Sequence, residues 1–228
     1  MGIHLVNGKI NYSDPQEQFH IERYRKIASL IKGGSTLDIG SAEGWGAYVL
    51  APVSGKITVT DLDAKVIARA RKNFPIHNAE YIQGDTCALP FQDETFDMVA
   101  ACELIEHLDK TQQEKMIREI SRVLKHGGLA IVTTPDRRRN IVRRVGIQYI
   151  GHKRELSLSE LSQIISRNLS VVSLWGQDIG RKMFFRHIVK RILPFFGKKF
   201  DYSKVDFLLH PINVSDKASY IMVIAQKT

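Results

Sequence analysis

The chain has 228 residues, of which 43% are hydrophobic and 25% charged, so it can form one large domain with a packed core. This composition excludes wholesale disorder, and no run approaches the roughly 20 apolar residues that a membrane span needs. The first residues lack the apolar stretch of a signal peptide, and Cys87 and Cys102 are too few for a disulfide framework. We therefore expect residues 1–228 to form a single domain of a reduced, cytoplasmic protein.

The formal net charge of +9 is concentrated in one part of the chain. Residues 136–199 hold 15 Lys and Arg against 4 Asp and Glu, whereas the rest of the chain is close to neutral. Residues 180–215 are basic and aromatic and interrupt the alternation of strands and helices. We interpret residues 180–215 as an insertion before the last strand.

Short apolar runs alternate with helical patterns along most of the chain. A helical segment at 13–33 precedes the strands. The seven predicted strands are Thr36–Ile39, Ile57–Thr60, Tyr81–Gln83, Asp97–Ala101, Leu129–Thr133, Val171–Trp175 and Tyr220–Ala225. Such an alternation predicts an α/β fold, with a mostly parallel sheet between two layers of helices.

Two helices carry recognisable start signals. Thr111 and Glu114 have the spacing of a capping box, and the helix that they predict ends at the Gly127-Gly128 pair. Ser157 and Glu160 repeat the capping-box spacing before a second apolar pattern.

A glycine-rich turn, LDIGSAEGWG from Leu37, follows the first predicted strand. Gly40 and Gly44 remove side chains where a ligand would approach the backbone, and the next helix offers its N-terminal N–H donors. Asp61 ends the following strand 21 residues after Gly40, a spacing that places a carboxylate beside a ribose diol. The dinucleotide fingerprint needs glycines where this chain has Ala42 and Trp45, so the turn does not predict a pyrophosphate site. A glycine turn without a ligand is the alternative.

These residues resemble the class I S-adenosylmethionine-dependent methyltransferases, in particular the methyltransferase type 11 group. Five motifs occur in the family's order, namely LDIGSAEGWG, VTDLD, GDTCALPF, FDMVAACELIEHL and SRVLKHGGLAIVTTP. The resemblance runs from about Phe19 to Trp175 and departs from the family at Ala42, where a glycine is usual. It implies a Rossmann-like, seven-stranded sheet with an antiparallel last strand, and S-adenosyl-L-methionine as the cofactor.

The resemblance also implies which residues bind the cofactor. Asp38 would hold the methionine end, Asp61 would accept from the ribose hydroxyls, and Asp85 would contact the adenine amino group. For Asp85, a role in a turn or a cap is the alternative. The implied cofactor-binding residues are Asp38, Gly40, Ser41, Gly44, Asp61, Leu62, Asp85, Thr86 and Cys102.

Residues 102–107 follow the fourth predicted strand and would face the transferable methyl group. Glu103, Glu106 and His107 share a face if they lie on one helical turn. We take His107 and Glu103 as the catalytic candidates, with His107 as general base, and a purely structural His107 as the alternative. Some relatives use ExxEH to hold Mg²⁺, and only His152 offers a further ligand here. We therefore predict no metal, with Mg²⁺ as the disfavoured alternative.

Weaker matches concern the acceptor. The HIERY segment from His20 and the HKRELSLSEL segment from His152 resemble methyltransferases of cell-surface polysaccharide pathways. They imply a hydroxyl of a glycan, a lipid-linked glycan or another small molecule as the acceptor. RNA methylation, and a non-catalytic cofactor-binding partner protein, are the alternative functions.

The basic part of the chain offers two candidate contacts. Apolar pairs recur every four residues between Arg181 and Leu193, which predicts a basic amphipathic helix. Residues 181–199 would suit either a peripheral contact with an anionic membrane or a lid over the active site. Arg137–Arg139 could bind RNA, which we disfavour, or a phosphate or carboxylate on a small acceptor.

Overall fold

The structure is a computed structural model that describes residues 3–6, 8–11, 15–138, 151–178, 209–216 and 218–228. Most of the predicted insertion therefore lies outside the described residues, including the candidate membrane contact at 181–199. Arg139 also lies outside them.

The described residues form ten strands and five α-helices. In chain order these are β1 (His4–Val6), β2 (Lys9–Asn11), α1 (Pro15–Ala28), β3 (Ser35–Ile39), α2 (Trp45–Leu50), β4 (Lys56–Asp61), α3 (Ala64–Asn73), β5 (Ala79–Gln83), β6 (Phe96–Cys102), α4 (Lys110–Val123), β7 (Leu124–Pro135), α5 (Leu158–Ile165), β8 (Ser170–Gln177), β9 (Leu209–Pro211) and β10 (Tyr220–Gln226). Short 3₁₀ turns occupy Ala51–Val53 and Ile105–His107. No helix in the described ranges has the length and apolar character that crossing a bilayer requires.

Eight strands form one sheet in the order β5-β4-β3-β6-β7-β10-β8-β9. Strands β3, β4, β5, β6 and β7 run parallel to one another. Strand β10 lies between β7 and β8 and runs antiparallel to both. The predicted Rossmann-like sheet with an antiparallel last strand is thus confirmed. The sheet has eight strands rather than seven, because Leu209–Pro211 of the predicted insertion pairs with Trp175–Gln177 at the edge. An edge position suits Pro211, since proline has no N–H to donate to a further strand.

Each face of the sheet is covered by helices because neighbouring strand residues point to opposite sides. Leu37 and Ile39 of β3 lie in the same core cluster as the apolar faces of α4 and α5. Ile57 and Val59 of β4 lie in the opposite cluster with residues of α1, α2 and α3. Full burial of such a side chain contributes about 1.5–3 kcal/mol, so the two clusters hold the three layers together.

The helix limits differ in part from the prediction. The capping box of α4 is formed by Asp109 and Gln112, so the predicted Thr111–Glu114 box is wrong. The helix ends at Val123 and the chain continues directly into β7, which places the Gly127-Gly128 pair inside a strand. At α5 the predicted box is confirmed, because Ser157 and Glu160 cap each other's backbone N–H groups.

The topology places the loops after the parallel strands at one edge of the sheet. Strand β3 lies between β4 and β6. After β3 the chain adds β4 and β5 on one side of it, and then β6 and β7 on the other side. In open α/β sheets, ligands bind in the crevice at such a switch point. The loops after β3, β4, β5 and β6 therefore frame the candidate site.

Candidate active site

The glycine turn after β3 is held against the end of β4. The N–H groups of Gly40 and Ser41 both donate to the carbonyl oxygen of Thr60, at 2.9 and 3.2 Å. Gly40 has a φ of 65°, and a Cβ added there would lie 2.7 Å from the side chain of Leu104. The left-handed backbone conformation therefore favours glycine at this position, and an added side chain would also force the Leu104 side chain to shift.

Gly44 has a different structural role. Its φ is 85°, and an added Cβ would lie 2.8 Å from the Cβ of Ala70 on α3. The structure therefore gives Gly44 a role in packing the turn against α3, whereas the resemblance implied a role in binding the cofactor.

Asp38 is a fully buried acid at the base of this turn. Its Oδ1 accepts a hydrogen bond of 3.1 Å from the hydroxyl of Tyr24, and its Oδ2 has no hydrogen-bond partner in the described part of the chain. Burial raises the pKa of Asp38 from 3.8 to about 7, against the opposing effect of the Tyr24 hydrogen bond and with a smaller contribution from Asp61. An open carboxylate oxygen in such a site can receive a cationic group of a ligand.

The Tyr24 contact depends on the packing of α1 against α2. The ring of Tyr24 lies 5.0 Å from the ring of Trp45, edge to face, and a Cβ added at Gly46 would overlap it. Sequence reasoning quoted Tyr24 within a family motif but gave it no role in the site. The available signal was a hydroxyl-bearing residue on the apolar face of a helix, beside Phe19, Ile21 and Ile27.

Asp61 links the glycine turn to the start of α3. Its Oδ2 accepts from the backbone N–H of Ala42 at 3.3 Å, and its Oδ1 accepts from that of Asp63 at 3.1 Å. Asp63 in turn caps α3 by accepting from the N–H of Lys65. Between the two acids, the side chain of Leu62 is 68% exposed. The structure therefore places a carboxylate and an apolar surface beside the glycine turn.

The loop after β5 contributes Asp85 and Thr86. Asp85 is exposed, and its Oδ1 accepts from the N–H of Cys87 at 2.8 Å, which is a turn-forming contact. The hydroxyl of Thr86 is buried and has no hydrogen-bond partner among the described residues. The same holds for the hydroxyl of Ser41 in the glycine turn. Together with Asp38, three predicted site residues thus carry a buried polar atom that the described residues leave unpaired.

Strand β6 ends at Cys102, and Glu103 follows it directly. Cys102 is buried, and burial raises the pKa of its thiol to about 12, with a further contribution from Asp38, so the thiol is neutral. Glu103 has a φ of 54°, which is unusual for a residue with a side chain. Its carboxylate accepts 3.0 Å from the Thr133 hydroxyl and lies 3.6 Å from Nη1 of Arg23. Glu103 is therefore held in one orientation by groups of β7 and α1.

Arg23 is an almost completely buried cation on α1. It donates to Nδ1 of His20 at 2.5 Å, and its guanidinium lies 4.3 Å from the centre of the Tyr220 ring. Burial, with the neighbouring charge of Arg23, lowers the pKa of His20 to about 3, so His20 is a neutral acceptor. The sequence offered no signal for this long-range cluster, which joins α1, β10 and the residue that follows β6.

Glu106, His107 and His152 form a second group at the same edge. One possible ligand atom from each residue lies within 4.8 Å of the others. Burial, followed by the nearby charge of Glu103, raises the pKa of Glu106 well above its ordinary value. His107 is exposed, whereas Glu106 is buried. The structure thus brings together His107 and the histidine that the sequence offered as a further ligand.

The described arginines after β7 are engaged with other protein groups. Arg137 forms an ion pair with Glu160 at 3.1 Å, and Arg138 pairs with the buried Asp136 at 3.0 Å. Arg138 also donates to the carbonyl oxygens of residues 214–216. These contacts join the loop after β7 to the segment before β10.

Comparisons with known proteins agree with this architecture. Residues 37–132 match the family of methyltransferase domains. A protein of Mycobacterium tuberculosis named "Probable S-adenosylmethionine-dependent methyltransferase" is 32% identical over 142 residues, which are 62% of this chain and 50% of that protein. A fatty-acid O-methyltransferase of Mycolicibacterium smegmatis is 32% identical over 128 residues, 54% of this chain and 46% of that enzyme. The chain thus matches about half the length of these curated relatives.

A solved structure matches over more of the chain. N-methyltransferase NodS of Bradyrhizobium japonicum, in complex with S-adenosyl-L-homocysteine, superposes with a TM-score of 0.65 over 94% of this chain and 89% of that one. Only 17% of the residues are identical, so this likeness shows the fold alone. Residues 37–132 are therefore similar to methyltransferase domains, and the curated relatives of this part of the chain include proteins named S-adenosylmethionine-dependent methyltransferases.

Proposed function

We propose that the chain transfers a methyl group from S-adenosyl-L-methionine to a hydroxyl oxygen of a small molecule, a glycan or a lipid-linked glycan. The observation that carries the cofactor part of the proposal is the set of unpaired buried polar atoms of Asp38, Ser41 and Thr86 at the carboxyl edge of the sheet. Unpaired buried polar groups are costly, so such a set fits a site that a polar ligand completes. Gly40 and Asp61 flank the same site.

The residues present fit this cofactor in charge and shape. The open Oδ2 of Asp38 would accept from the ammonium of the methionine end, and that contact would hold Asp38 ionised. Asp61 would accept from the ribose hydroxyls, with Leu62 as an apolar surface for the adenine ring. Thr86 would supply a hydrogen bond on the adenine side, and Asp85 would accept from the amino group. The bound cofactor would supply an activated methyl group on its sulfonium.

The acceptor would enter at the loop after β6. Methyl transfer is an in-line displacement, so the protein must place the acceptor oxygen, exclude water and remove a proton. Nδ1 of His107 faces a carbonyl oxygen, so Nε2 carries the lone pair of a neutral ring. Nε2 would take the proton of the acceptor hydroxyl. Glu103 would act as a positioning residue, because Thr133 and Arg23 fix its carboxylate.

Labelling with a tritiated methyl donor tests the function. The purified chain, the donor and cell extract would be incubated, and the products separated into lipid, glycan, RNA and protein fractions. We expect label in the lipid, glycan or small-molecule products, and its loss in Asp61→Ala. Asp63→Ala is the matched control, since it removes the neighbouring carboxylate but leaves Asp61, at a cost of about 1 kcal/mol for the lost cap.

Two other labelling results would contradict parts of the proposal. Label in RNA would overturn the acceptor class and leave methyl transfer intact. No label in any fraction, despite cofactor binding, would contradict the enzymatic function and support a cofactor-binding partner protein.

The proposed lipid-linked acceptor would place the enzyme at a membrane surface. We propose that residues 181–199 make this contact, on the basis of their alternating basic and apolar sequence. Co-sedimentation with anionic vesicles would compare the full chain with a variant lacking these residues. Equal pelleting of the two proteins would contradict the membrane contact without affecting the proposed methyl transfer.

A further inference from the structure

A cluster of aromatic and basic side chains lies on the acceptor side of the carboxyl edge. Strand β3 has β4 and β5 on one side and β6, β7 and β10 on the other. The proposed ribose and adenine contacts, Asp61 and Asp85, stand at the end of β4 and after β5. Glu103 follows β6, and Tyr220 begins β10 opposite Pro135, the last residue of β7. The side chains around Glu103 and Tyr220 therefore lie across β3 from the proposed adenine contacts.

Three half-buried rings form a row in this cluster, with His20 in the middle. The ring of His20 lies 6.0 Å from that of Trp45 and 6.5 Å from that of Tyr220, edge to face in both pairs. Trp45 begins α2 directly after Gly44. The buried guanidinium of Arg23 lies 4.3 Å from the centre of the Tyr220 ring. The row thus extends from the start of α2 to the start of β10.

The hydrogen bond from Arg23 defines what His20 offers to a ligand. A guanidinium can only donate, so Nδ1 of His20 accepts from it at 2.5 Å and Nε2 carries the proton. Burial, with the neighbouring charge of Arg23, lowers the pKa of His20 to about 3, so the ring is neutral near pH 7. His20 therefore offers an N–H donor without a charge.

Arg23 adds a second donor but no surplus charge. Its Nη1 is buried and has no hydrogen-bond partner in the part of the chain that the structure describes. The same atom lies 3.6 Å from a carboxylate oxygen of Glu103, whose charge offsets that of the guanidinium. Because an unpaired buried donor is costly, a ligand oxygen that accepts from Nη1 would be favoured. Because the two charges offset each other, the cluster suits a neutral ligand better than an anion.

We propose that this cluster binds one neutral sugar ring of the acceptor, through His20, Arg23, Trp45 and Tyr220. A sugar ring has apolar C–H faces, which pack on aromatic rings, and oxygens, which accept from N–H donors. Nε2 of His20 donates to one of these oxygens and Nη1 of Arg23 to another. This assignment rests on the proposed function, because it narrows the acceptor of that function to a neutral glycan.

The fluorescence of Trp45 tests the subsite without any methyl transfer. The chain has two tryptophans, so Trp175→Phe leaves Trp45 alone. Glycans of the cell extract, including those released from lipids by mild acid, would be separated by anion exchange into neutral and acidic pools. Each pool would be titrated into Trp175→Phe that is saturated with S-adenosyl-L-homocysteine, which has no methyl group to transfer. We expect a saturable change in emission with the neutral pool and none with the acidic pool.

Substitutions of His20 in the Trp175→Phe chain separate the hydrogen bond from the ring. His20→Phe keeps a ring without an N–H, and it should raise the half-saturating amount of neutral glycan by about three- to tenfold. His20→Gln keeps an acceptor for Arg23 and an N–H donor, and it should stay within about twofold of the parent. Both variants should bind S-adenosyl-L-homocysteine as the parent does.

A matched control and a second assay complete the test. His77 is exposed and precedes β5, at the opposite edge of the sheet, and His77→Ala should match the parent. Circular dichroism would verify that each variant is folded. Labelling by the tritiated donor, with tryptophans unchanged, should show the same rise in half-saturating neutral glycan for His20→Phe. If Trp175→Phe does not fold, this labelling assay carries the test.

The proposal is overturned if the neutral pool changes neither the fluorescence nor the labelling, or if the acidic pool binds instead. It is also overturned if His20→Phe binds neutral glycan as the parent does, or if His20→Phe loses S-adenosyl-L-homocysteine binding, which would place His20 in the cofactor site. Label confined to products without sugar would refute this subsite alone. Binding of neutral glycan without methyl transfer would refute the proposed function alone.

Discussion

Replacing Asp38 by Asn should stabilise the chain at and above neutral pH while removing cofactor binding. Asn keeps an oxygen that can accept from the Tyr24 hydroxyl, and it carries no charge that burial would penalise. It also removes the carboxylate that would receive the ammonium of the cofactor. Stability and binding should therefore change in opposite directions.

The size of the effect follows from the pKa of Asp38. This pKa is raised from 3.8 to about 7 in the folded chain, so the folded state binds the proton more tightly than the unfolded state does. Between these two values the free energy of unfolding falls as the pH rises, by about 1.4 kcal/mol per pH unit. The total loss in the free energy of unfolding is about 4 kcal/mol. It is complete slightly above pH 7 and does not grow at higher pH.

Urea denaturation between pH 4 and pH 8.5, without cofactor, measures this difference. Asp38→Asn should match the parent near pH 4, exceed it increasingly toward pH 7, and stay about 4 kcal/mol more stable above that. Other buried groups, such as Glu106 and His20, titrate equally in both proteins and cancel in the difference. A difference between the two proteins that does not change with pH would refute the assigned burial of an ionisable Asp38.

Four further substitutions, of which Val172→Ala is a control, test the adenine surface, the packing of α2 and the cap of α5. Leu62→Ala should weaken S-adenosyl-L-homocysteine binding about tenfold in calorimetry through lost apolar burial. Val172→Ala, which also removes an exposed aliphatic group, should leave the affinity unchanged, and equal effects of the two would contradict the adenine surface. Gly46→Ala should lower the free energy of unfolding by about 1–3 kcal/mol, because the added Cβ overlaps the Tyr24 ring, and an unchanged urea midpoint would argue against this packing. Ser157→Ala should cost about 1–2 kcal/mol by the same assay through loss of the α5 cap, and parental stability would mean that the capping box contributes little.

The sheet could be predicted because its strands are short apolar runs between turn signals. The predicted strand Asp97–Ala101 lies within the observed Phe96–Cys102, and Tyr220–Ala225 lies within Tyr220–Gln226. The edge strand Leu209–Pro211 could not be found in this way, because three residues with a proline have no periodic pattern.

The capping box of α4 shows a limit of local patterns. Asp109 with Gln112 and Thr111 with Glu114 both have the spacing of a capping box, so the sequence contains two overlapping starts. The structure selects Asp109, whose side chain reaches the N–H of Gln112 at 2.9 Å. Spacing alone could not decide between them.

The candidate site was predictable where it follows from topology. Asp38, Gly40 and Asp61 stand at the ends of neighbouring parallel strands, so their proximity follows from the strand order. The contacts of Tyr24 with Asp38 and of His107 with Gly151 depend instead on how distant segments pack. No spacing rule in the sequence reports such contacts.

Calorimetric titration of the purified chain with S-adenosyl-L-homocysteine tests the cofactor site most directly. We predict saturable binding of one molecule per chain, with an affinity at least tenfold weaker in Asp61→Ala and essentially parental in Asp63→Ala. Absence of binding by the folded parent chain, or equal affinities of the parent and Asp61→Ala, would contradict the cofactor site at the carboxyl edge of the sheet.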